Sequence, residues 1–118
     1  MDCLFCKIAE GTIPARKVYE DEQAIAFEDI NPQAPTHVLL VPKKHIPSLD
    51  CFDSHPGADT EDKLILGHLH ALAAEIARER QLSGGYRTVV NTGSDAGQTV
   101  FHLHVHLLGG RKLNWPPG

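Results

Sequence analysis

Three histidines stand two residues apart near the carboxy terminus, in Phe101-His102-Leu103-His104-Val105-His106-Leu107. On an extended segment successive side chains point to opposite faces. The alternation predicts Phe101, Leu103, Val105 and Leu107 facing a core, and His102, His104 and His106 in a row on the other face, about 7 Å apart. One histidine on a strand is ordinarily a polar residue on a half-exposed face. Three in strict alternation are poor strand filler, because a buried imidazole needs hydrogen-bond partners. Two chemistries fit the row. Imidazole is a common zinc ligand, so the three could surround a metal-bound water. Alternatively a neutral imidazole, abundant at pH 7 because the unperturbed pKa is about 6.5, attacks phosphorus while its neighbours stabilise the developing charge. Against the first, the outer two are about 13 Å apart on a straight strand, too far to share one ion.

The elements that must hold this row can be read along the chain. Residues 3–10 predict a short helix with Asp2 as N-cap and Gly11 past its end. The runs 17–20 and 24–28 flank the polar turn Asp21-Glu22-Gln23 as a hairpin. Asn31 to Pro35 is a loop, since both prolines disfavour helix before them. Val38 to Val41 is a buried strand, and residues 47–58 are a loop. A long helix spans about 60–81, with Asp59 as its cap, Glu61 and Asp62 in the first turn and Arg78 and Arg80 in the last. Its Ile65, Leu69, Leu72 and Ile76 recur at helical spacing and lay one face on something flat. Strands follow over 86–91 and 100–108, separated by a Gly-rich loop at 92–97. The expected fold is a single α+β domain over 1–118: about five mostly antiparallel strands, one long helix and a short N-terminal helix.

His102-Leu103-His104-Val105-His106-Leu107-Leu108 resembles the histidine-triad signature, in which histidines alternate with apolar residues. The blocks Asp29 to His37, Asn91 to Thr99 and Gly109-Gly110-Arg111 with Trp115 to Gly118 resemble the histidine triad nucleotide-binding branch of that superfamily. The likeness runs from about Cys3 to Gly118, except near 47–60, where the chain looks longer than usual.

The resemblance implies a hydrolase that cleaves purine nucleoside 5′-phosphoramidates and acyl-nucleotides to the nucleoside monophosphate through a nucleotidyl-histidine. It implies His104 as nucleophile. His106 and His37 would donate to the phosphoryl oxygens or help the leaving amine take a proton, and His102 would orient His104. Gly97, Gln98 and Thr99 would offer main-chain N–H groups and the Thr99 hydroxyl, which many relatives supply from serine. Asn91 would contact phosphate or ribose, and Asp29 would clamp the ribose hydroxyls. Phe5, Ile8, Phe27, Ile30 and Leu39 would form the slot for the base; singly, each reads as plain core. Two other functions stay open: a dinucleoside polyphosphate hydrolase of the same superfamily, and a non-catalytic purine nucleotide-binding regulator.

Cys3-x-x-Cys6 has zinc-knuckle spacing, although a short helix would also place both residues on its core face. His45 and His102 could complete a structural zinc site, as in some histidine-triad relatives. No cofactor is expected for catalysis. His55, His68 and His70 receive no role. A homodimer is expected from the resemblance, with Trp115 in a tail that approaches the partner's site.

Composition bounds the partners. The formal charge of −4 lacks the basic excess by which proteins neutralise nucleic-acid phosphates. No stretch approaches the roughly 18 apolar residues of a membrane span. The start Met1 to Cys6 has no basic-then-apolar export pattern, and an odd count of three cysteines fits reduced thiols, so the expected location is the cytoplasm.

Overall fold

A computed structural model describes residues 2–118. Its elements are α1 (Leu4–Glu10), β1 (Lys17–Glu20), β2 (Ala24–Glu28), β3 (Thr36–Pro42), α2 (Thr60–Glu79), β4 (Tyr86–Val89) and β5 (Val105–Gly109). The strands form one sheet in the order β1-β2-β3-β5-β4, and every neighbouring pair is antiparallel. The α+β architecture expected from the sequence is the one observed.

The sheet is covered on both sides. On one side α2 lays Leu69, Leu72, Ala73, Ile76 and Ala77 against Ala24, Ala26, Val38, Leu40, Val105 and Leu107. On the other side Cys3 and Phe5 of the amino-terminal segment meet Ile25, Phe27, Leu39 and Val41. Period-two alternation therefore sorts β2 and β3 into two cores, which is why both strands are apolar along nearly their whole length. Among the described residues no helix is long and apolar enough to cross a membrane.

Four expectations need correction. The last strand begins at Val105, not Val100. Leu40–Val105 is the final pair of the β3–β5 ladder. Before it the chain peels away: Leu103 N–H donates to Ile46 O at 2.6 Å, and the buried Gln98 amide donates to Pro47 O and Val100 O. The segment 98–103 thus follows the loop after β3 instead of β3 itself. Phe101, expected in the core, is consequently 53% exposed. The cap of α1 is Cys3, whose Sγ accepts from Cys6 N–H, and Asp2 instead reaches Lys7. Asp59 occupies the N-cap position of α2 in a left-handed conformation without capping; its carboxylate accepts from Asp53 N–H.

At the end of β5 the backbone requires glycine at Gly110, whereas Gly109 meets only the movable tip of a leucine side chain. A Cβ on Gly109 would lie 2.7 Å from Leu82, and one on Gly110, at φ +91°, would lie 2.9 Å from Pro35.

Candidate functional site

The site face is the α1 side of β3 and β5. Val105 and Leu107 point into the α2 core, so His104, His106 and Leu108 point the other way. On β3, His37 and Leu39 share that side, and Leu39 is the register partner of His106. This places His37 diagonally beside His106, with His37 Nε2 2.9 Å from His106 Nδ1. Asp29, just after β2, is tied to the same strand by its N–H donating to His37 O, and its Oδ2 lies 3.4 Å from His37 Nε2.

His104 is 8% exposed. Its Nδ1 lies 2.7 Å from the carbonyl oxygen of His102, an acceptor, so Nδ1 carries a hydrogen, and in the neutral ring the lone pair is on Nε2. No described residue hydrogen-bonds to that Nε2. The Phe5 ring stands edge-on to His104 at 5.0 Å, and the His106 ring lies 5.0 Å away on the other side. Burial, reinforced by the neighbouring His104 and His37, pushes His106 down to about 4. Burial lowers His37 as well, against the opposing pull of Asp29 and Glu28. Both rings are therefore neutral hydrogen-bonding groups near pH 7.

His102 faces a different way from its two successors. It is fully buried, and its Nε2 donates to Pro42 O at 2.7 Å. Its Nδ1 lies 3.3 Å from Cys3 Sγ, 3.5 Å from Cys6 Sγ and 3.2 Å from His45 Nδ1, while Cys6 Sγ is 3.3 Å from His45 Nδ1. A tetrahedral zinc with bonds of about 2.0–2.3 Å separates its ligands by roughly 3.3–3.8 Å. These four separations match edges of such a tetrahedron within a few tenths of an ångström, and all four ligand atoms lie within 4.8 Å of one another. The second shell fits too, because a ligating imidazole donates its other N–H to a carbonyl. Burial, with Cys3 alongside, raises the Cys6 thiol above its ordinary range, so a cation is what would draw thiolates there.

Asp29, His37 and His106 also bring ligand atoms within 4.8 Å of one another. The proton pattern makes this group unsuited to a metal. Gln33 N–H donates to His37 Nδ1, so the Nε2 that would face the ion carries the hydrogen. The reading of His102, His104 and His106 as three ligands of one ion fails on geometry: His102 turns to the thiols, His106 to His37, and His104 to neither.

The remaining expected residues divide. Phe5, Phe27 and Leu39 are buried on this side of the sheet; Phe5 and Phe27 are in edge contact at 5.5 Å, and Phe5 also backs His104. Ile8 lines a cavity of about 370 Å³ with Ile13, Pro14, Ala15 and Ile25. Ile30, 100% exposed, lines a cleft of about 470 Å³ with Asp29, Pro14, Ala15 and Pro32. The segment Pro14-Ala15 stands between the two. Gly97 N–H and Gln98 N–H are both committed, to Ser94 O and Gly93 O, so they are not free donors in this conformation. Exposed Thr99 keeps its N–H and hydroxyl available, and Asn91 is half-buried after β4. The buried Gln98 side chain braces the loop by accepting from Gly93 N–H and donating to Pro47 O.

Sequence reasoning missed two groups. One is the Gln33 main-chain N–H, which no side-chain pattern could reveal. The other is His68, whose Nε2 meets Asp21 Oδ2 at 2.6 Å and ties α2 to the β1–β2 turn. An Asp-x-x-Ala turn facing a helical histidine was the only available signal.

Fold and site together define a class: an antiparallel α+β sheet domain displaying neutral imidazoles on one strand end. The HIT domain family model matches residues 10–113. An uncharacterized HIT-like protein of Synechocystis sp. is 50% identical over 117 residues, covering 99% of this chain and 97% of that protein. The crystal structure of a HIT family hydrolase from Legionella pneumophila superposes with a TM-score of 0.90 at 48% identity, over 99% of this chain and 100% of that one. A histidine triad protein from Clostridium difficile gives 0.87 at 48% identity, over 97% and 95%. The chain belongs to the HIT domain family.

Proposed function

We propose that this chain is a hydrolase that cleaves purine nucleoside 5′-phosphoramidates and acyl-nucleotides, with His104 as the nucleophile. The carrying observation is the His104 ring itself: Nδ1 bound to His102 O, Nε2 with a free lone pair, beside neutral His106 and His37. Nε2 attacks the α-phosphorus and a P–Nε2 bond forms as the P–N or P–O bond to the leaving group breaks; a leaving amine takes its proton from solvent water. A water molecule then attacks phosphorus, the P–Nε2 bond breaks with its electron pair returning to Nε2, and the proton that the water loses passes to solvent, leaving the nucleoside monophosphate and the neutral ring. Donors on the phosphoryl group are the main catalytic resource in such a transfer. His106 and the Thr99 hydroxyl supply them, and Asp29, beside the cleft at Ile30, accepts from the ribose. A neutral His106 is better suited to hydrogen-bonding an oxygen than to protonating an amine. The hydrolase from Legionella pneumophila supports the reaction class.

The test is His104→Gly with adenosine 5′-phosphoramidate. Turnover should fall by about 10⁴-fold or more, as for loss of a nucleophile, while the wild type yields a nucleotidyl adduct on His104 by mass spectrometry of quenched reactions. Near wild-type cleavage by the variant would reject the assignment. Diadenosine triphosphate in parallel separates the polyphosphate reading.

We also propose a structural zinc held by Cys3, Cys6, His45 and His102, closed to substrate, whose contribution is to pin α1 and two loops together. The cytoplasm is the proposed location, supported by three cysteines that form no disulfide. A homodimer is proposed on the edge strand β4, where Tyr86 is exposed, with Leu64 of α2 and Trp115 of the tail also exposed. Light scattering should give twice the 12.9 kDa chain mass; a monomer at micromolar concentration would reject it.

A further inference from the structure

A main-chain N–H can only donate. Gln33 N–H lies 3.0 Å from His37 Nδ1, so that nitrogen carries a lone pair and the proton of the neutral ring is on Nε2. His37 Nε2 in turn lies 2.9 Å from His106 Nδ1. The single proton between these rings belongs to His37, so His106 Nδ1 accepts. The proton of neutral His106 is then on Nε2, the nitrogen with no partner among the described residues. We infer that the main-chain N–H of Gln33 is a positioning group that fixes, through His37, the tautomer of His106, so that His106 always presents an N–H to the substrate and never a lone pair. The inference rests on the reading of His106 as a phosphoryl donor.

The loop holding this N–H is itself held. Gln33 O accepts from Arg111 Nε, and the Gln33 side chain donates to Asn31 O. Asn31 N–H donates to Asp29 Oδ1, and Asp29 N–H to His37 O. The chain of bonds closes on the residue whose tautomer it sets. Asp29 Oδ2, 3.4 Å from His37 Nε2, acts in the same sense, since a carboxylate there favours a hydrogen on that nitrogen. The consequence is chemical. A phosphoryl oxygen gains charge in the transition state and needs a donor already oriented, whereas a lone pair in its place would repel it.

Long-range ¹H–¹⁵N spectra of the imidazoles, recorded without substrate, read the tautomers directly. In the wild type, His37 and His106 should each be a single Nε2–H form and His104 a Nδ1–H form. A His106 that is Nδ1–H, or averaged as in an unconstrained imidazole, overturns the inference. Gln33→Pro deletes the donor and keeps the carbonyl. It should leave His37 and His106 averaged, with kcat/KM down roughly two- to threefold, because substrate must then select the competent tautomer. Gln33→Ala, which keeps the N–H, should retain the wild-type spectrum. A folded Gln33→Pro whose His106 stays purely Nε2–H overturns the inference. Should that variant not fold, His37→Phe decides: His106 must lose its fixed tautomer there, and a persistent Nε2–H form counts against the relay. If the tautomers are as stated while no adduct forms on His104, the proposed reaction fails and the tautomer lock stands.

Discussion

His106 shows how burial sets chemistry residue by residue. Its pKa lies at about 4 in the folded protein against about 6.5 in an unfolded chain. Between those values the unfolded state binds more protons, so stability rises with pH across the window. The contribution is complete above pH 6.5 and is lost as pH falls toward 4; His37, lowered by burial in the same direction, adds to it. We expect His106 alone to contribute about 2–3 kcal/mol between pH 7 and pH 4. Urea midpoints at intervals across that range check it, and His106→Asn should flatten the slope. A wild-type midpoint that does not change from pH 7 to pH 4.5 would contradict the burial argument. Activity should likewise show no inflection from His106 between pH 6 and 8. At this scale the sequence was only partly legible. Alternation gave the facing of Val105 to Leu107, because that stretch lies in the ladder and obeys sheet periodicity. It misplaced Phe101, because no rule of alternation says where a ladder runs out of partners.

Among the elements, α2 matters most to the site without touching it. The helical spacing of Ile65, Leu69, Leu72 and Ile76 was readable because a helix on a flat sheet must be apolar along one stripe, and all four are buried. Leu69 is among the largest fully buried side chains, set over β3 and β5. Leu69→Ala should cost about 2–5 kcal/mol, the usual range for a large-to-small core change, read from urea unfolding. The loss should fall on stability with kcat nearly unchanged, since the residue lies on the opposite face of the sheet from His104. A stability change below about 0.5 kcal/mol would mean that the helix is not docked as described. The boundaries of α1 and β5 were harder to read. Both are set by partners distant in sequence: Cys3 caps α1 while facing His102, and Leu103 bonds to Ile46 instead of β3.

For the molecule as a whole, the Cys3, Cys6, His45 and His102 cluster is where three separate stretches of chain meet: the amino-terminal helix, the loop after β3, and the segment that leaves the β5 ladder. Apart from the cluster, the helix is held by Phe5 in the core and the last segment by the buried Leu103 and the His102 bond to Pro42 O. The helix is two turns long, too short to persist alone, and the two loop segments are joined chiefly by Leu103 N–H and the Gln98 amide. The same cluster stands directly behind the proposed nucleophile, because the carbonyl that orients His104 belongs to His102. A bound zinc would therefore stabilise the fold and hold the His104 ring by one backbone group. Protein purified without a histidine tag should contain about one zinc per chain, and fewer than about 0.2 would reject the site, given how tightly closed structural sites bind. Stripping the metal with a chelator should lower the melting temperature and raise amide exchange in residues 3–10 and 98–104, while the α2 core keeps its protection. Uniform loss of protection across the sheet would place the metal's role elsewhere. A chelated protein with unaltered exchange at residues 98–104 would break the proposed link between the thiol cluster and His104, whatever its activity.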